Sequence, residues 1–117
     1  MPLKKIKREK ESQTEINEIS NKIAAEYKIQ TITSKDSENK NIVRVFFFSK
    51  KNDDTNISLT LIVKTDIRSL SIESSNVRQN LIDTLIEDNK YNMKDVVSFE
   101  VQMKEIVRCW LRISSIL

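Results

Sequence analysis

The chain of 117 residues contains no glycine and no histidine, a single proline at Pro2 and a single cysteine at Cys109. Without glycine there is no Gly-rich phosphate loop, because the positive φ and close backbone approach that such loops need are missing. Without histidine the usual general base, the usual metal ligand and the usual pH switch all disappear together. One cysteine makes neither an internal disulfide nor a Cys-based zinc site, so no cofactor or metal is expected, and the thiol usage fits a reducing, intracellular compartment. No apolar run approaches the length of a membrane span, and the N-terminus lacks the apolar segment of a secretory signal.

What is present divides unevenly along the chain. Hydrophobic residues make up 38% and charged residues 32%, a balance that folds into one domain with a heavily charged surface. The net charge of +3 is local. Lys4, Lys5, Lys7, Arg8 and Lys10 stand against Glu9 alone, so the first ten residues carry +4 and the rest of the chain −1. Residues 1–11 are expected to be a basic flexible tail and residues 12–117 a single globular domain. Lys4, Lys5, Lys7 and Arg8 match the short basic pattern of a nuclear signal, or serve as an anion-binding arm. The protein is accordingly expected in the nucleus if that signal operates and in the cytoplasm otherwise.

The domain is organised around residues 42–74. IVRVFFFSK, ISLTLIVK and TDIRSLSIES are three β-like runs separated by turn-formers, and links this short join only antiparallel neighbours. In the first run Val43, Val45 and Phe47 share one face, and Ile42, Arg44, Phe46 and Phe48 the other, so aromatic area falls on both sides and both are expected to be covered. Ile57, Leu59, Leu61 and Val63 form an inward row in the second run. The third, residues 67–73, reads as an edge strand burying Leu70 and Ile72. A further strand over residues 27–33 is predicted before them, with Ile29 and Ile32 on opposite faces.

Helices flank this meander. Ser12 and Glu15 form a capping box ahead of a stripe of Ile16, Ile19, Ile23 and Tyr27. Ser75 or Asn76 is expected to cap a helix carrying Val77, Leu81, Ile82, Leu85 and Ile86. Asn92 with Asp95 is expected to cap a last helix whose stripe is Val96, Phe99, Met103, Ile106, Trp110, Ile113 and Leu117, with Cys109 as a small core residue. The fold class is therefore α+β: an N-terminal helix, a three- to four-stranded antiparallel meander, and two C-terminal helices packed on the sheet.

Catalysis finds little support. Asp53-Asp54 falls in a predicted loop and Glu87-Asp88 on the polar end of a helix, where solvated acids normally sit. The Arg44–Phe48 run lacks the glycines of an RNA-recognition strand, and nucleic acid is left with only the basic arm as a minor alternative.

The segments IVRVFFFSKKNDDTNISLTLIVK and NLIDTLIEDNKYNMKDVVSFEVQMKEIVRCWL resemble the central hairpin and closing helix pair of the RWD-type globular heads of kinetochore coiled-coil proteins. Those in view are the small subunits of the outer-kinetochore microtubule-binding complex and the monopolin core subunit. The resemblance implies a nuclear, chromosome-segregation adaptor that pairs with a second head, as a homodimer or heterodimer, and binds a short partner peptide at the centromere. Ile16, Ile19, Ile23 and Tyr27 are then candidates for pairing, and Tyr91, Met93 and Val97 for a peptide groove. The alternative partner-binding role is that of a small phage or bacterial regulator or inhibitor acting on a protein. No small-molecule substrate and no membrane contact are expected.

Overall fold

A computed structural model describes residues 2–50, 56–88 and 98–116. Helix α1 (Pro2–Tyr27) leads into strands β1 (Gln30–Lys35), β2 (Ile42–Lys50), β3 (Asn56–Lys64) and β4 (Ser69–Ser75), followed by helices α2 (Gln79–Asp88) and α3 (Phe99–Ile116). The strands form one antiparallel sheet in the order β1-β2-β3-β4. The fold is α+β, as expected, with the meander four-stranded.

Helix α1 begins at Pro2, ahead of the capping box at Ser12, so it runs back through the basic stretch expected to be a tail. Proline suits a first helical position, where its preset φ helps and its missing N–H is not needed. The helix ends at a left-handed residue, Lys28, at φ 57°, with Ile29 N donating to Ala24 O at 2.9 Å. Glycine normally fills that position, and here lysine fills it in a chain that has none. This reversal is why Tyr27 closes the helix and β1 starts only at Gln30. Ile29 and Ile32 do take opposite sides, one packed against the core and the other 56% exposed.

Side chains hold the turns. Asp36 Oδ2 accepts from the backbone N–H groups of Glu38 and Asn39, and Asn39 Oδ1 from that of Asn41, which closes the β1–β2 link. Asx contacts of this kind replace the conformational freedom of glycine. Between β3 and β4 the chain turns at residues 65–68 with Arg68 at φ 51°, so β4 begins at Ser69 and Ile67 lies exposed in the turn. A register shift between Thr60 and Leu61 leaves Glu73 unpaired, as a bulge in β4.

The core lies between one sheet face and the three helices. Val43, Val45 and Phe47 from β2 and Ile57, Leu59, Leu61 and Val63 from β3 are buried there, which bears out the inward row of β3 and decides which face of β2 is the inner one. Against them pack Ile16, Ile19 and Ile23 from α1, Ile82 and Ile86 from α2, and Phe99, Met103, Ile106, Val107, Cys109 and Trp110 from α3. Asn76 does not cap α2, which starts at Gln79. Its Oδ1 accepts from Trp110 Nε1 at 2.6 Å and from Ser58 N at 3.1 Å, while its Nδ2 donates to Ser114 at 3.2 Å. One amide thus ties the sheet to α3 and satisfies the buried indole. Asn92, Asp95, Val96 and Leu117 lie outside the described residues.

Candidate protein-binding surface

Among the described residues, no helix packs on the other face of the sheet, which corrects the expectation that both faces are covered. Antiparallel register fixes what this face displays. Ile32, Phe46, Thr60 and Ser74 form one cross-strand row; Ser34, Arg44, Ile62 and Ser71 form the next; Gln30, Phe48 and Ser58 lie on one flank, and Ile42, Lys64 and Ser69 on the other. Ile42, Phe46, Phe48 and Ile62 are all half-buried, and Ile32 is exposed. The same alternation that fills the core therefore lays a second apolar band on the outside.

Arg44 stands in the middle of that band. Its Nη1 donates to Asp36 Oδ1 at 2.6 Å, and its Nε donates to both carboxylate oxygens of Glu73, at 3.1 and 3.2 Å. To reach Glu73 on β4 the guanidinium crosses β3, and the bulge is what turns Glu73 toward it. The hydrogen bond from Arg44, then those from the Asn39 and Glu38 amides, hold the Asp36 carboxyl below its ordinary range. Glu73 first and Asp36 second raise the Arg44 guanidinium still further. Two carboxylates around one cation leave the centre of the face with one surplus negative charge. No sequence pattern marks this triad, because its members come from three separate places in the chain and meet only through the register.

The residues expected to mediate pairing lie elsewhere. Ile16, Ile19 and Ile23 are buried in the chain's own core, so that stripe is occupied by the sheet and is not open to a second head. Tyr27 packs partly buried at its edge, where burial and then Glu26 raise its phenol. Tyr91, Met93 and Val97 lie outside the described residues, as do Asp53 and Asp54. Lys4, Lys5, Lys7 and Arg8 fall within α1.

Among the described residues, nothing else on the surface gathers reactive groups. No cluster of three or more metal-ligating side chains occurs among the described residues, and no helix among them is long and apolar enough to cross a membrane. A polar cleft of about 160 Å³ is lined by Gln13, Lys35, Lys40, Asn41, Thr65 and Asp66, a single carboxylate beside two lysines. Cys109 is fully buried, and burial, then the Glu105 carboxylate, push its thiol up to about 11. Arg108, next to it in sequence, pulls the other way but is outweighed, its guanidinium held by Glu105 at 2.6 and 3.2 Å. In comparisons with known proteins, no family model, no curated protein and no solved structure matches the chain.

Proposed function

We propose that the protein is a non-catalytic protein-binding module whose uncovered sheet face receives an amphipathic helix from a partner protein. The observation that carries this reading is the outer band of Ile42, Phe46, Phe48 and Ile62, over which no layer lies among the described residues. A sheet with apolar side chains on both faces is completed by a layer on each, and helices form such a layer. The surplus negative charge at Asp36, Arg44 and Glu73 selects a partner whose apolar stripe carries a basic residue. Affinity would come from apolar anchors, with the charges setting orientation.

The more specific reading is an RWD-type adaptor head acting in chromosome segregation. The order helix, four strands, two helices supports it. Because Ile16, Ile19 and Ile23 are taken up by the core, such an adaptor engages its partner through the sheet rather than through the α1 stripe.

The test is light scattering and titration calorimetry with a purified small-subunit head of the outer-kinetochore microtubule-binding complex, alone and with an inner-kinetochore peptide. The expected result is a stoichiometric complex that the paired changes Phe48→Glu and Ile62→Glu weaken by about tenfold or more, without loss of fold. A complex indifferent to those changes would sink the sheet-face reading. Failure to capture either head or peptide would sink the chromosome-segregation reading.

A further inference from the structure

The sheet has two edges, and they are built differently. The β4 edge is broken by the Glu73 bulge and carries that residue's charge, both of which discourage strand addition. The β1 edge has no bulge, and its only charged residue, Lys35, is its last. Its six residues pair with β2 without interruption, and among the described residues nothing pairs with its other side.

The hydrogen-bond pattern shows which groups on β1 face outward. Asp36 N donates to Ile42 O at 3.0 Å in continuation of the β1–β2 register, so residues 30, 32 and 34 direct their main-chain groups toward β2. Antiparallel ladders alternate, which leaves the N–H and C=O groups of Thr31, Thr33 and Lys35 pointing away from the sheet. Helix α1 does not obstruct them. Its Glu15, Lys22 and Glu26 flank is engaged by Arg68, Glu100 and Lys104, while its opposite flank meets β1 where Thr33 Oγ1 donates to Asn17. Helix α1 thus packs on the inner face of β1, toward α3, and β1 is the outermost strand.

We infer that β1 pairs antiparallel with β1 of a second copy of this chain, across a two-fold axis passing through Ile32, joining two four-stranded sheets into one. Only registers that match the outward groups of Thr31 and Thr33 preserve the ladder, and the one centred on Ile32 pairs each copy's Thr31 with the other's Thr33. That register sets Ile32 against its own counterpart in a non-hydrogen-bonded pair, where side chains approach most closely. It sets no like charges directly opposite within the strand. The neighbouring register, centred on Thr33, places Ile32 against Ser34 and loses that match. A strand whose sequence complements itself about its own centre identifies a second copy as its occupant. The proposal concerns the edge of the sheet and stands independently of what covers its outer face.

Two measurements test it. Light scattering over a dilution series should give twice the chain mass for the wild type and the chain mass for Thr33→Pro, which removes an outward N–H and leaves the β1–β2 ladder intact. Circular dichroism and thermal melting of Thr33→Pro should remain close to wild type. In mild oxidant, Ile32→Cys should form a disulfide-linked dimer, because the non-hydrogen-bonded partners lie within bridging distance. Ser34→Cys, also exposed on the same strand, should not, because its counterpart is Gln30. A monomeric wild type, a wild type bound in a strand-added complex with some other protein only, or equal cross-linking at positions 32 and 34 would overturn the inference.

Discussion

The two faces of the sheet are made by alternate residues of the same strands, yet they serve opposite ends. On the inner face Phe47 is 0% exposed, sealed beneath the helices beside Leu59, with no charged group in its cross-strand row. On the outer face Phe46, its neighbour in sequence, is half-buried beside a charged triad, with no helix above it among the described residues. Composition does not separate them, since both carry aromatic and branched side chains. What separates them is that α1, α2 and α3 supply apolar stripes enough to close one layer. The lesson is that three helices close one apolar face of a four-stranded sheet, while among the described residues no helix closes the other.

The sharpest way to break this contrast is to truncate the two neighbouring phenylalanines. Phe47→Ala opens a cavity in a closed core and is expected to cost about 3–5 kcal/mol, a large share of the total for a domain this size. Phe46→Ala removes a half-buried ring and is expected to cost about 1 kcal/mol. Urea unfolding of the two variants measures both, and equal losses would mean that the outer face is as sealed as the inner one. Next in size is Asn76→Ala, which leaves Trp110 Nε1 without its acceptor inside the closed layer. A buried donor stripped of its partner costs about 1–3 kcal/mol, so the loss should approach that of a core truncation, although Asn76 lies in a connection and carries no apolar surface.

Much of this was legible from periodicity. The inward row of β3 alternates strictly with polar residues, and the Phe99–Ile113 stripe steps along α3 at helical spacing, so each declares its buried side without reference to the rest of the chain. The fold class follows from the order of such segments. What was hidden depends on pairing between distant positions. Asn76 looks like a helix cap because Asn often is one, but Trp110, thirty-four residues on, claims its side chain. The start of β1 depended on a left-handed Lys28, which no glycine announced. The Arg44 triad required the β4 bulge, and a bulge leaves no mark in hydrophobic alternation. Whether Phe46 or Phe47 faced the helices could not be read from three consecutive phenylalanines, because either parity places aromatic area inside.

Alkaline titration sharpens the contrast from the inner side. The thiol of Cys109 is raised from 9.0 to about 11 chiefly by burial, so the folded state holds its proton more tightly than the unfolded chain does. The resulting stability is present in full below pH 9 and is lost as the pH rises toward 11. Wild-type unfolding free energy should therefore decline more steeply over that window than that of Cys109→Ala. Parallel slopes would show that water reaches the thiol and that the inner layer is less dry than its burial indicates.

The outer face should answer to acid instead, and more weakly. Arg44 is the largest cause of the lowered Asp36 carboxyl, so the carboxylate form is favoured in the folded state. That contribution is present above the ordinary value of 3.8 and disappears as the pH falls through the lower folded value. Arg44→Met removes the cause while keeping much of the apolar stem, so its stability should fall less steeply than that of the wild type below pH 4. At neutral pH its loss should be smaller than that of Phe46→Ala, because solvent-exposed ion pairs contribute little. Partner binding should show the reverse ranking. A helix laid over the triad desolvates it, and Arg44→Met then leaves Asp36 and Glu73 facing each other with no cation between them. A variant that folds as well as the wild type but binds markedly less tightly would place the function of the triad at the interface. A variant impaired in folding and unimpaired in binding would return the triad to the fold and leave the apolar rows as the whole of the recognition surface.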